Sequence, residues 1–143
     1  MEKKMKIGYT QGVFDMFHVG HLNLINRAKE QCDYLIVGVN SDALVESYKN
    51  KTPVVCQEFR KVIVENIKAV GEAHIVETLD KLEILKDISF DVVFIGDDWK
   101  GSQRWSDAQE KLKERGVDVV FLPYTQNVSS TLLRTKTEDK VDG

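Results

Sequence analysis

The chain passes from a short apolar run into a helical pattern through Gly12-Val13-Phe14-Asp15-Met16-Phe17-His18-Val19-Gly20-His21, hereafter the histidine segment. Gly12 allows a tight exit from a strand, and Gly20 lets the backbone approach a ligand where the helix begins. The first N–H groups of a helix are free and carry a partial positive charge, so they attract phosphate. His18 and His21 are three residues apart, so both imidazoles can donate hydrogen bonds to one anion, more strongly when protonated. The segment therefore predicts a phosphate site at a strand-to-helix turn.

A histidine pair at this spacing has other interpretations. Single histidines are often structural or simply solvated, and a pair three residues apart can ligate a metal. A zinc site needs a third protein ligand, but His74 belongs to a strand pattern and neither cysteine is obviously near. Phosphate binding is therefore favoured over zinc. A P-loop is excluded, because no Gly-Lys-Ser/Thr follows the glycines.

Strand and helix patterns alternate along the rest of the chain. Continuous β-branched runs, mostly too apolar for a one-sided sheet, predict strands at Met5–Tyr9, Tyr34–Val39, Ala73–Val76, Asp91–Ile95 and Val117–Leu122. Helical spacing predicts a first helix through Leu22, Ile25, Ala28 and Cys32, a longer second through Phe59, Val62, Ile63, Ile67 and Val70, a third through Leu82, Leu85 and Ile88, and a fourth through Trp105, Ala108 and Leu112 that stops at Gly116. A fifth helix is predicted to begin near Ser129.

This alternation predicts one α/β domain, residues 1–135, with a parallel five-stranded sheet covered by helices on both faces. Residues 136–143 are predicted to be a polar tail. Ligands of such sheets bind at the carboxyl ends of the strands, near the point where the strand order reverses. We call this edge of the sheet the carboxyl rim. The loops expected there start at Gly12, Asn40, Gly96 and Tyr124.

Composition narrows the class of protein. The 143 residues are 42% hydrophobic and 30% charged, which is typical of a soluble globular domain. The net charge of −3 gives no support to nucleic-acid binding, and no apolar run approaches a membrane span or a signal peptide. Cys32 and Cys56 are isolated and form neither a metal knuckle nor a disulfide framework. We therefore expect a cytoplasmic protein with neither nucleic acid nor membrane as a partner.

The histidine segment has the pattern Gly-x-Phe-Asp-x-x-His-x-Gly-His, in which it resembles the cytidylyltransferases of the HxGH nucleotidyltransferase superfamily. The likeness extends over nearly the whole chain. It implies a Rossmann-like fold, a homodimer, and transfer of CMP from CTP to a phosphomonoester with release of pyrophosphate. The implied acceptor is glycerol 3-phosphate, the implied product is CDP-glycerol for teichoic acid or another surface polymer, and Mg²⁺ is expected to accompany CTP.

The resemblance also implies roles for residues that match family motifs. His18, His21 and Lys51 are the expected catalytic residues, which stabilise charge around the α-phosphorus. Lys49 is expected to bind the acceptor, although the Tyr48-Lys49-Asn50-Lys51-Thr52-Pro53 stretch, hereafter the lysine segment, would otherwise be interpreted as an exposed polar loop. Arg60 is assigned to the acceptor site, with a structural ion pair as the alternative. Asp15 is expected to order the histidine segment without touching the nucleotide.

Two further motifs are expected at the carboxyl rim. In Gly96-Asp97-Asp98-Trp99, Asp98 would bind the nucleotide, Trp99 would line the acceptor pocket and Asp97 would support them, although the acids also suit a helix cap. The Ser-Ser-Thr-x-hydrophobic-Arg signature ends at Arg134 and would present hydroxyls and N–H groups to phosphates, although it is also an ordinary N-cap. The complete predicted nucleotide set is Gly12, Val13, Phe14, Gly20, Asp98, Tyr124, Thr125, Ser129, Ser130 and Thr131.

Four positions depart from the family pattern. Tyr124 stands where an arginine is usual, Lys68 where the glycerol 3-phosphate branch has arginine, Gly71 where aspartate is usual, and Val13 where threonine is common. These departures bear on the acceptor more than on the chemistry. Alternative functions are therefore transfer to phosphoethanolamine, phosphocholine or a sugar phosphate, use of ATP, or a nucleotide-binding regulator without turnover.

Overall fold

The structure, a computed structural model, describes residues 5–96 and 103–122, and they form a single parallel sheet with helices on both faces. The strands are β1 (Ile7–Gly12), β2 (Tyr34–Asn40), β3 (Glu72–Val76), β4 (Val92–Gly96) and β5 (Asp118–Leu122). The helices are α1 (Val19–Glu30), α2 (Asp42–Lys49), α3 (Gln57–Glu65), α4 (Lys81–Asp87) and α5 (Gln103–Glu114). The predicted α/β class and five parallel strands are confirmed.

The strand order is β3-β2-β1-β4-β5. The chain builds outward from β1 to β3 and then crosses back to place β4 on the other side of β1, so the strand order reverses between the neighbouring strands β1 and β4. One core layer packs α1 and α3 against the sheet through Ile25, Ala28 and Val64. The opposite layer packs α4 and α5 through Ile84 and Leu112. Strands buried on both faces explain why the sequence runs are continuously apolar rather than alternating.

Several boundaries differ from the predicted ones. Strand β1 begins two residues later and ends at Gly12, so this glycine closes the strand instead of following it. Helix α2 was not predicted; it has only eight residues, and Val45 is its one buried residue. The predicted fifth helix near Ser129 and the domain boundary at residue 135 lie outside the described residues.

The prediction for α3 was wrong in length and in face. The helix ends at Glu65, and Phe59, Val62 and Ile63 are exposed, with 67% of Phe59 accessible. Its buried positions are Arg60 and Val64, one helical turn apart. Within residues 5–96 and 103–122, no helix combines the length and apolarity needed to cross a bilayer.

Candidate active site

After β1, the histidine segment adopts backbone conformations that glycine usually adopts. Phe14 and Met16 have φ angles of 55° and 48°, in the left-handed region, which costs free energy for residues with a Cβ. Phe14 is nevertheless held, because its side chain is 3% exposed and belongs to the core layer beneath α1. Its ring meets the His21 ring edge-on, with 5.6 Å between centroids. The strained turn thus places the second histidine against a fixed aromatic wall.

The two histidines cap the start of α1 by a reciprocal pair of hydrogen bonds. The Gly20 N–H donates to Nδ1 of His18 at 3.0 Å, and the His18 N–H donates to Nδ1 of His21 at 3.2 Å. These bonds satisfy backbone donors that a helix start otherwise leaves free. The imidazole rings stack with centroids 3.9 Å apart. The pair is thereby locked in one orientation.

The same bonds determine which ring nitrogens carry protons. A nitrogen that accepts from a backbone N–H cannot itself hold a hydrogen, so each Nδ1 is unprotonated and each neutral ring carries its proton on Nε2. Both histidines therefore present an Nε2–H donor. The expectation that protonated histidines would donate more strongly does not fit these caps, because a charged ring would need a hydrogen on Nδ1.

Burial reinforces the neutral state. It lowers the pKa of His21 to about 4, and the nearby His18 lowers it further while Asp15 acts in the opposite direction. Burial also lowers the pKa of His18 below its usual value. At neutral pH the site therefore offers two uncharged donors.

Asp15 connects the histidine segment to the chain that follows the lysine segment. Its two carboxylate oxygens accept from the N–H groups of Val54 and Val55, both at 2.8 Å. A charged acceptor with two backbone donors makes a strong tie across a long sequence separation. Asp15 thus joins two loops by contacts with backbone, and its expected place beside the nucleotide site stays a prediction.

The lysine segment begins in α2 and leaves it through a left-handed residue. Lys49 is the last residue of the helix, and Asn50 ends it with a φ of 55°. The Lys49 ammonium lies over the Tyr48 ring, 5.8 Å from its centroid. Lys51 is exposed, and among the described residues neither ammonium forms a salt bridge. Neither cation is thus paired with a carboxylate of the described ranges.

Arg60 is fully buried and binds four protein groups at once. Its Nε donates to the Val55 carbonyl at 2.8 Å, and Nη1 donates to the carbonyls of Val13 at 2.8 Å and Asn40 at 2.7 Å. Its Nη2 pairs with the Asp42 carboxylate at 2.6 Å. These contacts make Arg60 a structural ion pair that joins the loops of the rim, and its role in acceptor binding stays a prediction.

The described part of the rim brings together the histidine segment, Arg60 and the backbone of Val54 and Val55. The other predicted site residues lie outside the described residues: Asp97, Asp98, Trp99, Tyr124, Thr125, Ser129, Ser130, Thr131 and Arg134. Sequence reasoning missed Gln11, Asn40 and Tyr48, which form a polar network at the rim. Gln11 and Asn40 have one sequence signal, which is polarity at the ends of otherwise apolar strands, whereas Tyr48 lies in α2.

No metal cluster occurs in the part of the chain that the structure describes: no three His, Cys, Asp or Glu side chains there are grouped to hold an ion. Both His18 and His21 use Nδ1 on backbone N–H groups, and His74 lies on the edge strand β3, where its ring contacts Glu72. The histidine pair is thus arranged as a donor pair.

Comparison with known proteins identifies relatives of the chain. The family described as cytidylyltransferase-like matches residues 9–136. The chain is 37% identical over 131 residues to a glycerol-3-phosphate cytidylyltransferase of Bacillus spizizenii, covering 91% of this chain and 95% of that protein. It is 33% identical over 133 residues to the bifunctional protein HldE of Nitrobacter winogradskyi, covering 92% of this chain but 27% of HldE.

Among solved structures, a lipopolysaccharide core biosynthesis protein from Thermoplasma volcanium superposes with a TM-score of 0.72 at 24% identity. The superposition covers 85% of this chain and 98% of that one. At this identity the likeness supports the fold alone.

Replacement of Arg60 by methionine is expected to lower the free energy of unfolding by about 3 to 5 kcal/mol, because Asp42 and three carbonyls lose a buried partner. Lys61→Met, on the exposed face of the same helix, removes only an i,i+4 pair with Glu65 and should cost about 0.5 kcal/mol or less. Urea unfolding followed by circular dichroism measures both. Equal effects would show that Arg60 does not hold the rim together.

Acidification is expected to destabilise the fold through the histidine pair. The unfolded chain binds a proton at His21 near pH 6.5, whereas the folded chain does so only near pH 4, so stability falls as pH drops through this window. His21→Gln removes this titration while the amide oxygen can still accept the helix cap. The urea midpoint of the wild type should therefore fall more steeply from pH 7 to 4.5 than that of the variant. If the urea midpoints of the two proteins fall equally with pH, His21 is not held neutral by burial and its backbone hydrogen bond.

Proposed function

This chain belongs to the cytidylyltransferase-like family and is a nucleotidyltransferase, and from that premise we propose that it transfers CMP from CTP to glycerol 3-phosphate. The products are CDP-glycerol and pyrophosphate. The observation that carries the proposal is the pair of backbone-locked imidazoles, with both Nε2–H donors at the start of α1. Similarity to glycerol-3-phosphate cytidylyltransferases over almost their full length supports the choice of acceptor.

The reaction is a direct displacement at the α-phosphorus. A phosphate oxygen of the acceptor forms a bond to this phosphorus, and the bond to the bridging oxygen of the leaving pyrophosphate breaks. The second pKa of a phosphomonoester is about 6, so the attacking oxygen is largely deprotonated at neutral pH and needs no general base. Catalysis then consists of positioning and charge stabilisation, to which the two fixed donors contribute hydrogen bonds at the α-phosphate.

The lysines supply the charge that two neutral histidines do not. CTP and the acceptor are both anionic, so their approach needs cations between them. Lys51 is assigned to the reacting phosphates and Lys49 to the acceptor. Asp15 positions this stretch indirectly, because it holds the backbone of Val54 and Val55.

Mg²⁺ is proposed to enter with the triphosphate. Among the described residues no carboxylate cluster competes for the ion, which suits a cation held by phosphate and water oxygens. The ion would neutralise charge on CTP, while the protein contributes the donors and cations described above.

Two of the departures from the family pattern lie at the opposite end of the strands from the proposed site. Gly71 lies at the amino end of β3, where a Cβ would come within 2.4 Å of the Tyr34 ring. Lys68 is exposed in the turn that leads into this end of the strand. Both positions lie at the edge of the sheet opposite the carboxyl rim, away from the acceptor site proposed there. Tyr124 lies outside the described residues.

A sugar phosphate is the second candidate acceptor, because several relatives are bifunctional proteins HldE. Phosphocholine, phosphoethanolamine and replacement of CTP by ATP complete the set of alternatives. We further propose that the protein works in the cytoplasm and that CDP-glycerol serves a surface polymer such as teichoic acid.

Pyrophosphate release with CTP and Mg²⁺ tests the proposal across these phosphomonoesters. Glycerol 3-phosphate is expected to be the best acceptor, and chelation of Mg²⁺ is expected to abolish turnover. His18→Ala should lower kcat about 10²- to 10³-fold because it removes one donor at the reacting phosphate. His74→Ala is the matched control on an edge strand and should keep wild-type turnover. Turnover with another acceptor alone would overturn the assigned substrate, and CTP binding without turnover would indicate a regulator.

The homodimer implied by the resemblance has a candidate surface on α3. Phe59, Val62 and Ile63 expose an apolar face there that a second copy could bury. Light scattering after size exclusion is expected to give twice the 16.3 kDa chain mass for the wild type and the chain mass for Phe59→Asp. Lys113→Asp on α5 should leave the dimer intact. A wild-type monomer, or a dimeric Phe59→Asp protein, would overturn this proposal.

A further inference from the structure

A chain of hydrogen bonds crosses the ends of three strands and reaches the lysine segment. The Tyr9 hydroxyl donates to Oε1 of Gln11 at 2.9 Å, and Nε2 of Gln11 donates to Oδ1 of Asn40 at 2.8 Å and to the Thr78 carbonyl at 2.9 Å. Nδ2 of Asn40 then donates to the Tyr48 hydroxyl oxygen at 3.0 Å. The network begins at a buried tyrosine and ends at a half-exposed one.

One backbone atom determines which group donates and which accepts at each hydrogen bond of this network. The Thr78 carbonyl can only accept, so the Gln11 atom beside it must be the amide nitrogen. That nitrogen also faces Asn40, which must therefore present its oxygen to Gln11 and its nitrogen to Tyr48. Each amide orientation follows from the previous one, and neither can flip without placing two acceptors or two donors together.

The Tyr48 hydroxyl is consequently an outward donor. Its oxygen is occupied by the Asn40 amide, so its own hydrogen must point elsewhere, and among the described residues it meets no acceptor. Tyr48 is 40% exposed and carries the Lys49 ammonium over its ring. A neutral donor and a cation thus lie side by side at the carboxyl rim.

We propose that Tyr48 is an acceptor-specificity residue, whose hydroxyl donates a hydrogen bond to a hydroxyl oxygen of the phosphorylated polyol while Lys49 binds its phosphate. The assignment rests on the proposed function. The Lys49 ammonium suits the charged phosphate, and the neutral Tyr48 hydroxyl suits a neutral hydroxyl oxygen of the same acceptor. Because the two side chains are adjacent, one small molecule can meet both. A site with a fixed donor discriminates against substrates that lack the corresponding oxygen.

The test compares the wild type and Tyr48→Phe with two acceptors, in a thermodynamic cycle. The acceptors are glycerol 3-phosphate and propyl phosphate, which lacks both hydroxyls. Tyr48→Phe is expected to lower kcat/KM for glycerol 3-phosphate about fivefold to tenfold through KM, as for loss of one neutral hydrogen bond. The same variant should change kcat/KM for propyl phosphate less than about twofold, and KM for CTP should not change. Tyr34→Phe, which loses a hydroxyl bonded to Glu72 at the far edge of the sheet, is the matched control.

A second variant tests the direction of the hydrogen bonds without removing the hydroxyl. In Asn40→Asp the residue has no N–H to donate, so the Tyr48 hydrogen turns inward to the carboxylate. This variant should reproduce the selective loss with glycerol 3-phosphate, provided that its circular dichroism spectrum is that of the wild type. If Asn40→Asp fails to fold, the Tyr48→Phe cycle alone decides.

The two proposals fail in different ways. If the wild type prefers a sugar phosphate, glycerol 3-phosphate is overturned as substrate, and the cycle is run with that sugar phosphate and its deoxy analogue. A best acceptor without hydroxyls, or no turnover with any acceptor, overturns the role of Tyr48 as well. With the wild type active on glycerol 3-phosphate, equal losses for both acceptors in Tyr48→Phe, or a loss no greater than in Tyr34→Phe, overturn the Tyr48 assignment alone.

Discussion

The guanidinium of Arg60 is the interaction on which the architecture of the rim depends. It is enclosed completely and joins the exit of β1, the end of β2, the start of α2 and the backbone just before α3. Arginine suits this position because its planar guanidinium directs five N–H donors at fixed angles. A lysine ammonium has only three donors, all on one nitrogen atom. The Asp15 carboxylate adds a second connection between the exit of β1 and the backbone before α3, because it accepts hydrogen bonds from the N–H groups of Val54 and Val55. Two ionic side chains thus hold loops that would otherwise be free to move apart.

The histidine pair illustrates how a helix start can organise donors for an anion. Each ring uses Nδ1 to cap the backbone and keeps Nε2 for a ligand. The capping hydrogen bonds therefore also fix the orientation of the imidazole rings. The positive φ angles at Phe14 and Met16 are the cost of aiming the segment in this way, and the burial of Phe14 offsets that cost. The site is therefore preorganised by packing beneath it and by hydrogen bonds within it.

The sequence predicted the sheet well because runs buried on both faces leave a strong local signal. The pattern failed at α2, which buries Val45 alone, and at α3, where an apolar face formed by Phe59 and Val62 points outward. The reason at α3 is that the buried ion pair of Arg60 orients the helix, and hydrophobic periodicity cannot register a buried charge. The placement of the histidines was predictable from their spacing. Their tautomers and the orientation of Asn40 were not, because both depend on hydrogen bonds between segments distant in sequence.

The central position of β1 has a consequence for the time at which the sheet is completed. On one side β1 pairs with β2, which follows after a single helix, but on the other it pairs with β4, and the Ile7 N–H binds the Asp91 carboxylate 84 residues away. At synthesis rates of about 5 to 20 residues per second, β1 waits roughly 4 to 17 s for this neighbour. During that interval the β1–β2–β3 half has one unpaired inner edge. Until β4 is made, the backbone groups along that edge of β1 are therefore open to pairing with other strands.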